Sequence, residues 1–386
     1  MRVVVDENIP CAEEAFASLG EVRCLPGRSI CRDHLQDADI LVVRSVTRVD
    51  RSLLMGTPVR FVATATSGCD HVDENDLAAM GIGFASAHGS NAESVAEWVT
   101  AALLRLATDM GFTLAGRVLG IIGVGAVGSM VEAKAAALGM KTLRNDPPRA
   151  RREGATGFVS LSDLLAAADI VTLHVPLIRS GVDCTLRMVD DNFLRHLRSG
   201  AALLNASRGA VVDEAALRQA LAKGRLAAAA LDVFENEPFI ASATLTAARI
   251  ATPHIAGYST DAKIAGTFQV YAAICRMLGK EPTWNPTPYL TPPAEISLNV
   301  EGRDEEDVLD EIVAAAYNIA RDHERLAAAA QLPPDKIGEH FTRLRKEYPL
   351  RRKFPAFRVK LTGASPSLMA KVAGLGFACS TASTAP

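Results

Sequence analysis

The feature that most constrains this chain is the run Gly123-Val124-Gly125-Ala126-Val127-Gly128. It lies between an apolar stretch, Arg117–Ile122, that reads as a strand and a stretch, Ser129–Leu138, that reads as a helix closed by Gly139. A G-x-G-x-x-G run alone says little. Set between a strand and a helix, with an acid at the end of the next strand, it predicts a dinucleotide-binding turn in a parallel sheet. The acid is Asp146, after a strand predicted over 141–145.

Each position has its own physical reason. Gly123 permits the tight turn, and Gly125 lets the backbone approach a diphosphate whose charge sits at the helix N-terminus. Gly128 lets the helix pack closely on the strand. Asp146 can accept hydrogen bonds from a ribose diol and would repel a 2′-phosphate, so NAD is expected over NADP. Arg144 and Arg149 are the neighbours that could reverse that preference. A glycine-rich turn without a ligand is the plainer alternative.

The rest of the chain agrees with such a sheet. Strands are predicted at 3–5, 21–25, 40–44, 59–64 and 82–85, with helical stretches such as Cys11–Leu19 between them. Near-continuous apolar strands alternating with helices imply a parallel sheet covered on both faces. A long helix is expected over 92–107, with Ser90-Asn91-Ala92-Glu93 as a capping box. Further strands follow at 170–175, 201–205, 228–234 and 250–252.

Five prolines between 282 and 293 read as a linker. Beyond it a smaller α+β unit is expected. Its strands fall at 295–300 and 357–361, one long or broken helix at 304–330, a helix at 366–373, and a frayed end at 380–386. Three domains result: 1–95 with 257–281, then 96–256, then 282–386.

Hydrophobic residues make up 49% and charged residues 22%, which suits a globular chain with a sizeable core. Aromatics are only 5%, so that core must be built from aliphatic side chains. A formal net charge of −3 offers no reason to expect nucleic-acid or membrane binding. The seven cysteines, at 11, 24, 31, 69, 184, 275 and 379, show no metal-ligand spacing, so no metal and a reducing, cytoplasmic setting are expected. Acidic residues at 6 and 7 argue against a secretory signal.

Three polar groups follow predicted strands in the second sheet: Arg208 in NASRG, Glu237 in LDVFENEP and His254 in TPHIAGYS. Ligands of doubly wound sheets bind beyond such strand ends. Oxidising a 2-hydroxy acid beside NAD needs a cation for the carboxylate, a base for the hydroxyl proton and a carboxylate to orient that base. Arginine, histidine and glutamate fit these tasks. Singly, each could be a surface charge, a turn residue or a packed histidine. Their order behind the glycine turn is what joins them.

The succession GVGAVG, Asp146, NASRGAVVDEAAL, LDVFENEP, TPHIAGYS resembles the D-2-hydroxyacid dehydrogenases over residues 1 to about 280. VDENIP, VRSVT, ATATSGCDHVDE and RLRKEYPLRRKF extend a narrower resemblance to nearly the whole chain. It is to members of that family acting on a phosphorylated four-carbon hydroxy acid, 4-phospho-D-erythronate, in vitamin B6 synthesis.

The resemblance implies a flavodoxin-like substrate domain, a Rossmann NAD domain and a C-terminal domain that forms a homodimer. It implies Arg208, Glu237 and His254 as catalytic, with His254 the acid/base. It implies cofactor contacts near Ala126, Val127, Asp146, Val175, Ala206, Ser207, Asp232 and Gly257, and substrate contacts at Ser45, Thr66 and Tyr258. Ser207 stands where the family often has Cys, and His88 where Pro is common. The same fold could also serve another phosphorylated hydroxy acid, or a nicotinamide-sensing regulator.

A phosphorylated substrate needs a further cation. Arg44, beside Ser45, is one candidate. The run Arg343, Arg345, Lys346, Arg351, Arg352 and Lys353 offers others, although such a run is ordinarily a solvated face.

Overall fold

The computed structural model describes residues 1–381, and the chain forms two compact units. The first comprises Met1–Asn91 and Tyr258–Pro292. Its strands are β1 (Arg2–Asp6), β2 (Glu21–Leu25), β3 (Ile40–Val43), β4 (Phe61–Thr64) and β5 (Gly83–Ser86). They pair in parallel in the order β2-β1-β3-β4-β5. Strands β3 and β4 are wholly buried because helices cover both faces, hence their unbroken apolar sequences. On one face Val3, Val5, Ile40 and Val42 pack with Phe16, Val270, Tyr271 and Ile274. On the other, Val4, Leu41, Val43 and Val62 pack with Leu35, Leu54 and Leu77. The strand order reverses between β1 and β3, which is where a doubly wound sheet opens a crevice.

The second unit comprises Ala92–Gly257 and 293–386, of which 382–386 lie outside the described residues. It opens with the helix Ala92–Met110, longer than predicted. Arg105 pairs with Asp109 at 2.7 Å across its last turn, and Gly111, at φ 69°, follows its end. Glu93 turns its carboxylate toward Lys353 (3.3 Å) and Lys134 (3.9 Å).

Six parallel strands follow: β6 (Val118–Ile122), β7 (Lys141–Asn145), β8 (Ile170–Leu173), β9 (Ala201–Asn205), β10 (Leu226–Leu231) and β11 (Ile250–Ala251). Their order is β11-β10-β9-β8-β6-β7, so the switch point falls between β6 and β8, at the glycine turn.

The C-terminal segment adds a parallel sheet of β12 (Ala294–Asn299), β13 (Phe357–Thr362) and β14 (Ala378–Thr381). The helix expected over 304–330 is broken into Glu305–Ala316 and Ile319–Ala327, and Asn318 caps the second piece through the Arg321 amide. Ser380 and Thr381, expected to fray, instead pair with Lys360 and Leu361 in β14. The remainder of that expected tail lies outside the described residues.

Leu326, Ile337, Phe341 and Leu344 of the C-terminal helices are buried in one core with Val211, Phe234, Ile240 and Leu245. Each large side chain so buried contributes roughly 1.5–3 kcal/mol. The segment is thereby part of the second unit's own core. Among the described residues no helix is long and apolar enough to cross a membrane.

Candidate active site and cofactor cradle

The glycine turn leaves β6 between its two neighbours. The Gly123 amide donates to the Asn145 carbonyl (2.9 Å) and the His174 amide donates to the Ile122 carbonyl (2.8 Å). Gly123 has φ 86°, and a Cβ there would meet the His174 backbone at 2.7 Å. A Cβ on Gly128 would run into the Gly123 carbonyl oxygen, so this glycine sets the helix–strand approach. Around Gly125 there is open space, and it caps the N-terminus of the helix Ala126–Ala137. These are the properties a diphosphate cradle needs: two glycines forced by packing and one kept open for a ligand.

Asp146 follows β7. It accepts the Val124 amide of the turn (2.8 Å) and the Arg149 amide (3.0 Å). It is half-buried at the rim of the turn. The two nearby arginines are engaged by protein groups. Arg149 pairs with Glu153 at 2.7 Å and donates to the Val124 carbonyl, and Arg144 donates to the Gly157 carbonyl at 2.8 Å. Val175 follows β8, and Ala206 and Ser207 follow β9, all on the same edge of the sheet. The Ser207 hydroxyl donates to Asn205 Oδ1 at 2.8 Å, so the serine finds a local partner inside this turn.

Glu237 and His254 meet. His254 Nδ1 lies 2.6 Å from Glu237 Oε2, while Glu237 Oε1 accepts the Phe234 amide at 2.9 Å. Burial pushes the Glu237 carboxyl up. The charge and hydrogen bond of His254, the Phe234 amide and the charge of Arg345 outweigh it and hold the group below its ordinary value. A carboxylate on Nδ1 fixes the tautomer and leaves Nε2 as the nitrogen for proton exchange. Arg208 ends the β9 turn half-buried, with Nη1 donating to the Ser207 carbonyl at 2.8 Å. Gly209 beside it has no room for a Cβ, because the Phe234 carbonyl lies there. The arginine turn and the glutamate turn are therefore packed backbone to backbone.

Asp232, expected to touch the cofactor, is 1% exposed. It accepts Thr252 Oγ1 (2.6 Å) and the amides of Ile255 (2.8 Å) and Ala256 (2.9 Å). Trp98 Nε1 donates to that same threonine at 2.9 Å. In this structure Asp232 braces the loop that carries His254. Gly257 ends the second unit's first segment.

In the first unit, Arg44 follows β3 at the switch point and is held by Asp6 at the end of β1, Nε to Oδ2 at 3.1 Å. Ser45 is exposed beside it. Thr66 follows β4, its hydroxyl 2.8 Å from that of Thr64, which in turn lies 2.9 Å from His71 Nε2. Tyr258 is half-buried, with the Lys263 ammonium 4.5 Å from its ring centroid. His88 is exposed, so its polar ring is not buried.

Two residues escaped the sequence reading, and a third was read in another role. Gly209 had a signal, since a glycine directly after the key arginine suggests close backbone approach. Glu214 is buried and accepts the Glu235 amide (2.7 Å) and the Thr244 hydroxyl (2.6 Å), which steadies the glutamate turn. Arg351, one of the basic run, is 5% exposed. Its two terminal nitrogens donate to backbone carbonyls of this unit, and its burial keeps it from holding a substrate phosphate.

Residues 82–256 match the family described as D-isomer specific 2-hydroxyacid dehydrogenase, NAD binding domain. Residues 289–376 match a domain of unknown function, DUF3410. The chain is 48% identical over 362 residues to the erythronate-4-phosphate dehydrogenase of Salinibacter ruber, covering 91% of this chain and 92% of that one. To the enzyme of the same name from Yersinia pestis it is 45% identical over 365 residues, covering 95% and 96%. The crystal structure of the TT0316 protein from Thermus thermophilus superposes with a TM-score of 0.61 at 28% identity, over 73% of this chain and 98% of that one.

Proposed function

The chain belongs to the erythronate-4-phosphate dehydrogenases, within the D-isomer-specific 2-hydroxyacid dehydrogenases, and on that premise we propose that it oxidises 4-phospho-D-erythronate at C2. The observation that carries this reading is the 2.6 Å bond between Glu237 and His254, in the same unit as the glycine cradle.

Arg208 holds the substrate carboxylate and polarises the C2 oxygen. His254 Nε2 takes the C2 hydroxyl proton, and Glu237 stabilises the imidazolium that results. Bound NAD supplies the hydride acceptor, so the products are the 2-oxo acid phosphate and NADH. Gly125 would face the diphosphate, in a turn whose shape Gly123 and Gly128 permit, and Asp146 would hold the ribose diol. Ala126, Val127, Val175, Ala206, Ser207 and Gly257 would line the bound dinucleotide, and Asp232 would act on it through the loop it braces. Ser45, Thr66 and Tyr258 bind substrate. Arg44 is the phosphate contact, softened by its pairing with Asp6.

The reaction belongs to pyridoxal phosphate synthesis, and the cytoplasm is the setting we propose for it. A homodimer forms through the C-terminal segment, where β12 is an edge strand of its sheet. Sedimentation of the purified chain tests the dimer.

The activity is tested by offering the protein and NAD four acids: 4-phosphoerythronate, 3-phosphoglycerate, D-lactate and glycerate. An oxo-acid acceptor is included in parallel. NADH formation is expected with the first and at far lower kcat/KM with the others. Stoichiometric NAD binding without NADH from any of them would identify a nicotinamide-sensing protein instead.

A further inference from the structure

The two residues after His254 are gripped from both sides. Asp232 takes the amides of Ile255 and Ala256, at 2.8 and 2.9 Å. Arg351 takes their carbonyls, with Nη1 3.4 Å from Ile255 O and 3.1 Å from Ala256 O. Its Nη2 donates to the Ser94 carbonyl at 2.7 Å. The guanidinium lies 3.7 Å from the centroid of the Tyr317 ring, and Glu97, 0% exposed, stands 3.6 Å from Nη2. Glu97 also accepts the Phe354 amide at 2.7 Å, which ties it to the chain just beyond Arg351.

A buried ion pair is a costly way to fill space, and apolar side chains of similar volume would pack as well. What the guanidinium does, and an apolar group cannot, is donate to three carbonyls at once in a fixed plane. Two of the three belong to the loop of His254. That histidine has φ 55°, a left-handed state that a non-glycine residue keeps only where its surroundings hold it there. The His254 amide, donating to Asp232 O at 2.7 Å, is one such hold, and the clamp on 255 and 256 is another. The C-terminal segment also braces the partner carboxylate. Phe341 packs edge-on against Phe234, 6.3 Å between centroids, and a Cβ on Gly338 would meet the Phe239 ring at 2.9 Å.

We propose that Arg351, held by Glu97 and Tyr317, is a positioning residue for His254: it fixes the 255–256 backbone so that Nδ1 stays on Glu237 and Nε2 is presented to substrate. The C-terminal segment is then part of the catalytic apparatus of its own chain. This inference rests on the dehydrogenase reading above.

The test uses the full chain with NAD and 4-phospho-D-erythronate, and kcat is expressed per NADH-binding site counted by fluorescence titration. Arg351→Lys and Arg351→Met are expected to lose at least about tenfold in kcat per site, since small displacements of a catalytic group cost that much or more. Their NADH Kd should stay within about twofold of wild type. A merely structural role would lower Tm and the number of binding sites but leave kcat per site intact. A value for Arg351→Lys within about twofold of wild type overturns the proposal.

If neither variant binds NADH, Tyr317→Leu decides, because it removes the ring and keeps the ion pair. A loss of at least about threefold per site is then expected, and an unchanged value overturns the proposal. Wild-type protein that binds NADH but oxidises no hydroxy acid defeats the dehydrogenase reading itself, and this proposal falls with it.

Discussion

Glu237 Oε2 stands 2.6 Å from Nδ1 of His254, and the histidine meets it from a left-handed backbone at φ 55°. Local strain at such a residue persists because the surrounding bonds over-determine it, and it is common where geometry serves chemistry. The carboxylate side of the pair has a pH signature. Glu237 is held below its ordinary value of 4.5, so its contribution to stability is complete above that value and is lost as pH falls through the depressed one. Glu237→Gln should lower kcat by about 10²-fold at neutral pH. In calorimetry its Tm deficit relative to wild type should shrink as pH drops below 4.5. A constant deficit down to strongly acid pH would show that the fold does not favour the ionised Glu237 carboxylate.

His254→Asn keeps a group that can reach Glu237 but offers no imidazole. It should cut kcat by about 10²–10⁴-fold with little change in NADH Kd. Near-normal turnover would remove His254 from the chemistry.

Arg208→Lys keeps the charge and loses the two-pronged geometry. A fall of about 10²-fold in kcat/KM is expected, equivalent to about 2.7 kcal/mol of transition-state stabilisation. Steady-state kinetics with the phosphorylated substrate measures it. An unchanged kcat/KM would mean that another cation holds the carboxylate.

The glycines of the turn should separate by function. A Cβ on Gly128 meets the Gly123 carbonyl, whereas Gly125 faces open space at φ −75°. Gly128→Ala should cost about 1–3 kcal/mol of stability, as overpacking does. Gly125→Ala should leave Tm nearly unchanged and weaken NADH binding. Thermal melts with and without NADH distinguish the two, and equal loss of Tm in both would contradict the cradle.

His174, at the end of β8 beside Gly123, has Nε2 3.0 Å from the Thr172 hydroxyl and a buried Nδ1. Burial pulls its pKa down to about 3. Between 6.5 and that value the unfolded chain takes up a proton that the folded chain refuses, so stability falls as pH falls. The slope approaches about 1.4 kcal/mol per pH unit for this one group. His174→Leu should flatten urea-derived stability against pH over that window. An unaltered slope would show that the folded protein protonates this ring.

Much of the site was legible because its signals are local. The glycine turn needs only a strand, a helix and an acid within one short stretch, and Arg208, Glu237 and His254 each follow a strand whose apolar run marks it. The helix Pro334–Lys346 was harder to see. Its apolar residues at 337, 341 and 344 have helical spacing, but the charges among them read as a solvated basic face. Strand β14 is four residues, ACST, too short for its pattern to speak.

Arg351 shows the limit most clearly. In the sequence it is one cation among six in a basic run, whereas in the fold Tyr317 and Glu97 enclose it and three backbone carbonyls use its donors. Asp232, a cofactor contact only by family resemblance, is in the fold a buried group that accepts the amides of 255 and 256, a partnership that no local stretch displays. Which chemical groups stand at the strand ends, and in what order, can be read along the chain, because strand and turn signals are carried by neighbouring residues. Which of those groups meet cannot, since the distance between two side chains depends on strand order and burial, and neither is encoded in any local stretch.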